Sequence, residues 1–309
     1  MTGGAVVPVM AAAVMAGGAF GNRRGGVRNW NLSAPFPEIL TGNFAPARLR
    51  FGSPRSIRVV DWNIERGEDL PGVLKFLSSA DADLLLLQEV DLNAKRTNRV
   101  NVAEEIAKTL KMNYVWAREF QELVQGTSDS PAYTGQATLA RWRLNRPRII
   151  RFRQQSGFWK PHWFVPHVYP FQVRLGGRIG LVTEADGALG NLAAYNLHLE
   201  SRNTDALRDS QIAEVMNDTA RYDSKRPVLV AGDFNLNATH ERPAAEIRDA
   251  GFRSVTGPKP EATTHLFFVH GPAIDWAYVR GRVQAAAAKI HPNVRASDHF
   301  PITFTLTFG

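Results

Sequence analysis

At 309 residues the chain is long enough for one large domain or two small ones, and 44 % apolar with 21 % charged residues is the balance of a folded globular protein, not a disordered or membrane-spanning one. The absence of cysteine excludes disulfides, thiolate nucleophiles and cysteine-bound zinc. The net charge of +8 is uneven: residues 1–58 carry seven Arg against Glu38, residues 141–178 carry eight Arg and one Lys against no acid, and the remainder is mildly acidic.

Taken in chain order, residues 1–20 contain "VVPVMAAAVMAGGAF", too short and Gly-rich to cross a bilayer as a helix. Its length suits a signal-peptide core, but no Lys or Arg precedes it. Export stays open through this segment, and a cytoplasmic location is the reading favoured. Residues 20–55, rich in Gly, Pro and Arg, read as an irregular arm, so the division is a leader and basic arm over 1–55 and a single domain over 56–309. "IRVVDWNI" (57–64) predicts a strand, "PGVLKFLSSADAD" (71–83) a helix, and "DLLLLQEVD" (83–91) a strand covered on both faces. "NVAEEIAKTLKM" (101–112) is an amphipathic helix with Asn101 as its cap. Strands are expected at 135–144, 178–185 and 191–201, the last two joined by an Asp-Gly turn at 186–187. A long helix follows over 204–222 with Thr204 as cap, then the strand in "VLVAGDFNL" (228–236), a short helix near 241–250, and strands at 273–281 and 301–308. Strands outnumber helices, and the helices fall between groups of strands, which predicts an α/β protein of mixed or antiparallel sheets with helices outside.

Polar side chains recur at the edges of these apolar runs: Asn63, Glu89, His198, Asp233, Asn235, Asp275, Asp298 and His299. Any one of them reads as a cap or turn residue. An isolated buried carboxylate is costly unless paired or metal-bound, so the set together points to one shared site.

In their order and spacing, "WNI", "LLLLQEVD", "NLHLES", "GDFN", "IDWAYV" and "SDHFPI" resemble the motif series of the endonuclease/exonuclease/phosphatase superfamily, in its deoxyribonuclease/sphingomyelinase-like branch. The resemblance spans residues 57–308. It implies a four-layer α/β/β/α sandwich, two packed mixed sheets flanked by helices, and hydrolysis of phosphoesters with Mg²⁺ or Mn²⁺. It implies Asn63 and Glu89 at the metal, His198 on the scissile phosphate, Asp233 and Asn235 activating and orienting water, and Asp275 with Asp298 and His299 closing the site. Glu65 falls where some members of the superfamily place a second acidic ligand; a surface loop Glu is the alternative. Arg96 stands where similar sequences place a phosphate-facing Arg; a solvated loop charge is the alternative.

In 141–178 nine cations are interleaved with eight aromatics, including Trp159 and Arg178. That mixture suits single-stranded nucleic acid or a phospholipid interface, and the loop is expected to overhang the site. The substrate is therefore expected to be an anionic phosphoester, nucleic acid or phospholipid, with a sugar phosphate as a further option. No obligate protein partner is implied, and a monomer is expected. A catalytically silent binding module on the same fold is the weakest reading, because every expected polar position is filled.

Overall fold

The computed structural model describes residues 37–46, 55–159, 173–185, 191–202, 204–236, 241–257, 261–266 and 269–309. Two sheets pack face to face. The first holds eight strands: β1 (Ile39–Asn43), β4 (Asn113–Glu122), β5 (Ala132–Ala140), β3 (Leu84–Leu92), β2 (Ser56–Arg66), β16 (Ile302–Phe308) and β15 (Val283–Ile290) in that order, with β7 (Arg174–Gly176) also paired to β4. The second holds six: β11 (Arg253–Ser254), β14 (Asp275–Arg280), β10 (Val228–Asp233), β9 (Ala193–His198), β8 (Ile179–Ala185) and β6 (Leu144–Arg151). A small hairpin, β12 (His265–Leu266) with β13 (Val269–His270), stands apart. β2–β3 and β9–β10 are parallel pairs. The other pairings are antiparallel, so both sheets are mixed, as the sequence predicts.

Side-chain alternation explains why these strands read as unbroken apolar runs. In β3, Leu84 and Leu86 face the opposite sheet, packing with Ala194, Leu229 and Phe304. Leu85 and Leu87 face outward, against α1 (Leu70–Ala80) and α2 (Val102–Leu110), where Val73, Leu77, Val102 and Ile106 close the layer. β10 repeats the arrangement: Leu229 and Ala231 point inward, while Val228 and Val230 meet Ile212, Val215 and Met216 of α3 (Asp205–Thr219) and Ile247 of α4 (Glu241–Asp249). Each such Leu, fully buried, contributes about 1.5–3 kcal/mol. The result is the expected four-layer sandwich.

Helix ends follow their local chemistry. Asn101 caps α2 by accepting from the Glu104 amide at 3.1 Å, and Asp69 caps α1 by accepting from the Gly72 amide at 3.1 Å. Thr204 precedes α3 as expected, but its side chain makes no capping hydrogen bond. Several strands escaped the sequence pattern, β6 and the short β7, β11, β12 and β13 among them. β1 lies within the segment expected to be an irregular arm, yet pairs with β4 from Ile39 to Asn43. β4 itself and the Ala-rich edge strand β15 carry no clear alternation. The Asp-Gly turn at 186–187, the leader and the centre of the aromatic loop (160–172) lie outside the described residues. Among the described residues no helix is long and apolar enough to cross a membrane.

The basic segment also reads differently once folded. Arg141, Arg146, Arg148, Arg151, Arg153, Arg174 and Arg178 each meet a carboxylate, respectively Asp81, Glu184, Asp218, Glu38, Glu214, Glu122 and Glu119. Charges segregated along the chain are largely reunited in space.

Candidate active site

The sheet register brings the polar residues to one end of the sandwich. His198 at the end of β9 is abreast of Asp233 at the end of β10, and Asp233 is directly opposite Asp275 at the start of β14. Asn63 and Glu89 come from the corresponding ends of β2 and β3, and His299 lies just before β16. Gly232 permits the central approach: its φ is +140°, and a Cβ there would stand 2.0 Å from the Leu197 carbonyl oxygen.

Local strain re-aims the strand ends. One extra residue bulges from β2 between Asn63 and Arg66, and another irregularity in β3 falls between Leu87 and Val90. Glu65, Arg66, Glu89 and Asn235 all have left-handed backbones, with φ of 45°, 67°, 49° and 49°. Non-glycine residues in that region cost about 1–3 kcal/mol each, and they concentrate at functional sites.

Asp233 is the hub. Its Oδ2 accepts from Asn63 Nδ2 at 3.1 Å and its Oδ1 from the Asn235 amide at 2.8 Å. His198 Nε2 stands 3.5 Å from Asp233 Oδ2 and 3.9 Å from Glu89 Oε1, and His299 Nε2 stands 3.8 Å from Asp233 Oδ2. Glu89, Asp233 and His299 therefore share one site. Burial first, then Asp275, pushes the Asp233 carboxyl up, against the pull of His299 and His198. Asn235 is held by its side-chain amide, which donates to the Leu199 carbonyl at 3.1 Å.

His299 is clamped by Asp275, whose two oxygens lie 3.0 and 2.9 Å from Nδ1. Burial alone would lower this imidazole, but Asp275 and then Asp233 outweigh it and hold His299 well above the ordinary histidine value. Asp233, Asp275 and His299 offer ligand atoms within 4.8 Å of one another, so the trio can hold a proton or a metal ion. The loop carrying His299 is pinned to β2: Ser297 Oγ donates to the Asn63 carbonyl at 2.7 Å, and Trp62 Nε1 donates to the His299 carbonyl at 2.8 Å.

Oxygen donors for a hard cation lie on the other side of Asn63. Glu65 Oε2 accepts from the Asp298 amide at 3.1 Å, and burial followed by the Asp298 charge pushes the Glu65 carboxyl up. Glu89 is held well below the usual range: burial opposes this, and Arg66 and His198 overcome it. Asn63, Glu65, Glu89 and Asp298 carry oxygen ligands of the kind Mg²⁺ or Mn²⁺ takes, with Glu65 beside Asp298 and Glu89 beside Arg66 and His198.

The three expected substrate contacts have other partners. Arg96 makes a bidentate pair with Asp91, both contacts 2.7 Å, and reaches Glu122 at 3.2 Å, so it is neither a solvated loop charge nor a free phosphate contact. Arg178 is only 2 % exposed and bridges Glu119 at 2.8 Å and Ser201 at 2.7 Å beside the His198 ring. Trp159 is buried, with Nε1 donating to Glu200 at 3.2 Å. Of the three, Arg178 is the one that touches a site residue, the His198 ring. Glu119, which the sequence reading missed, lies 3.2 Å from His198 Nδ1. Its signal was the one used elsewhere, a carboxylate in an apolar stretch, but β4 had not been recognised as a strand.

The sequence matches the model of the Endonuclease/Exonuclease/phosphatase family over residues 62–299. The chain belongs to that family. Endonuclease/exonuclease/phosphatase members are phosphoester hydrolases, and the fold agrees. A solved endonuclease/exonuclease/phosphatase from Beutenbergia cavernae superposes with a TM-score of 0.59 at 15 % identity, covering 82 % of this chain and 72 % of that one. The human Nocturnin catalytic domain gives 0.58 at 17 %, covering 88 % and 97 %. A humanized D. rerio TDP2 gives 0.57 at 17 %, covering 82 % and 99 %. Among curated proteins no sequence matches.

Proposed function

We propose that this endonuclease/exonuclease/phosphatase member is a divalent-metal-dependent phosphodiesterase acting on nucleic acid. The observation that carries the reading is the setting of Asp233, a buried carboxyl within 4 Å of two imidazoles and hydrogen-bonded by Asn63.

Phosphodiesters resist hydrolysis because their anionic oxygens repel a nucleophile. Asp233, raised by burial, is basic enough to take a proton from water, and Asn235, fixed against Leu199, orients that water. Asp275 holds His299 Nδ1 and leaves Nε2 toward Asp233, so Nε2 is placed to donate to a phosphoryl oxygen as negative charge grows there. His198, with both ring nitrogens within 2.8 Å of Arg178 Nη1 and Nδ1 beside Glu119, is held next to Asp233 and carries the Arg178 charge toward the phosphate. Asn63, Glu65, Glu89 and Asp298 would hold Mg²⁺ or Mn²⁺, which would supply positive charge to offset that of the phosphoester.

Nucleic acid is supported by the rim. Phe158 is 49 % exposed, and the Arg202 guanidinium lies 5.0 Å from its ring centroid, a pairing suited to base stacking and phosphate attraction. The same exposed ring favours a phospholipid interface as the second reading. Turnover of bis(4-nitrophenyl) phosphate with Mg²⁺ or Mn²⁺, lost on Asp233→Asn, tests the chemistry. Side-by-side cleavage of plasmid, single-stranded DNA, RNA and sphingomyelin tests the substrate: activity on lipid alone replaces the first reading with the second. No metal-stimulated turnover of any of these would leave a silent binding module.

A further inference from the structure

Arg66 ends β2 immediately after Glu65, with its own backbone in the left-handed region. Its guanidinium lies between two carboxylates. Nη2 is 3.1 Å from Glu89 Oε2, and Nη1 is 3.7 Å from Glu68 Oε1. The Glu89 side chain is 14 % exposed and that of Glu68 is 49 % exposed, so one partner is inside the site and the other at its rim. Arg66 Nε is buried without a hydrogen-bond partner among the described residues, the Glu122 and Asp91 charges also act on the group, and Glu68 Oε1 lies 3.8 Å from Arg96 Nε as well.

We infer that Arg66 is a resident counter-ion which a divalent cation must displace from Glu89, with Glu68 as its outer resting place. This rests on the metal-dependent reading above. A guanidinium and a hard cation compete for the same carboxylate oxygens. Until a cation arrives, Arg66 occupies Glu89 Oε2 at 3.1 Å, and it sets the cation concentration at which the site fills. Exchange toward Glu68 needs only rotation about the end of a long side chain, and it leaves the positive charge paired and close to the entry route of an anionic substrate.

The experiment is Mn²⁺ binding to the full chain without substrate, followed by the electron paramagnetic resonance signal of free Mn²⁺. Arg66→Gln is expected to bind Mn²⁺ about three- to tenfold more tightly, the range of a partly buried ion pair. Glu68→Gln, at a half-exposed position that folding does not depend on, is expected to weaken binding by a smaller factor. Bare charge would produce both signs, so the double variant decides. If Glu68 acts through Arg66, Glu68→Gln has no effect once Arg66 is Gln. Unchanged or weaker binding by Arg66→Gln, or a Glu68→Gln effect that persists in the double variant, overturns the inference. Glu89→Gln run in parallel separates the two levels. Weakened binding there with no gain from Arg66→Gln sinks the Arg66 role alone. Unchanged binding there removes the metal reading and this inference with it.

Discussion

Asp233 and Asp275 lie directly opposite each other on adjacent antiparallel strands, and His299 bridges them, 3.8 Å from one and 2.9 Å from the other. Two buried carboxylates at such a position repel unless a cation stands between them. The fold supplies one from its own chain, an imidazolium. The like charges are thereby used to hold a proton where a phosphoryl oxygen will need it.

His299 therefore ties stability to pH. Its folded value is raised above the 6.5 of an ordinary histidine, so its contribution is full below about pH 6.5 and is lost as pH rises through the folded value. His299→Gln should lower the melting temperature most near pH 6, with the gap from the unmodified chain narrowing in alkali. Its phosphodiesterase kcat should fall about 10²–10⁴-fold, the usual worth of a positioned proton donor. Thermal melts across pH 5–10 and steady-state kinetics check both halves.

Asp233→Asn should separate activity from stability. The carboxyl is raised by burial, so its ionisation at neutral pH opposes folding, and a neutral amide removes that cost. A loss of activity of about 10²–10⁴-fold is expected with an equal or higher melting temperature. A large fall in melting temperature would show that Asp233 is chiefly structural.

Asp61 is a buried acid that the site does not use. Gln88 Nε2 donates to its Oδ1 at 2.9 Å, and the same nitrogen donates to Asn196 Oδ1 at 2.8 Å, a polar link across the two sheets. Burial and then Asp275 push the Asp61 carboxyl well above its ordinary 3.8. Folding therefore takes up a proton here, and stability falls as pH rises from about 3.8 through the folded value. Asp61→Asn should remove that slope, so its stability relative to the unmodified chain rises between pH 4 and 7. Urea titrations over that range measure it; a parallel pair of curves would contradict it.

Glu119→Ala removes the partner of a buried guanidinium. Arg178 would lose its nearest carboxylate and keep only Glu89 and Glu200 at longer range, a loss of about 3–5 kcal/mol at most. His198 loses its Nδ1 partner at the same time. A markedly lower denaturation midpoint together with reduced kcat is expected. Glu119→Gln, which keeps a hydrogen-bonding side chain, should lose less of both.

The sequence carried most of the fold because period-two burial and helix caps are local signals. The run Leu84–Leu87 announces a strand covered on both faces, and Asn101 announces the start of a helix. β1, β4, β6 and the largely exposed β15 were not legible: their pairing depends on neighbours remote in the chain, such as Ala117 opposite Ile39. For the site, the motif residues were readable as residue types at strand ends. Their meeting was not, because only strand register sets His198, Asp233 and Asp275 abreast.

Tertiary structure alone also decided the use of the charges. The chain determines by itself that Arg96 and Arg178 are cations, and their loop positions suggested contact with substrate. Folding places Asp91 and Glu119 against them at 2.7 and 2.8 Å, with both carboxylates buried, so these two cations are already paired within the chain. Sequence sets which groups can ionise; three-dimensional proximity and burial set which ones remain free to do chemistry.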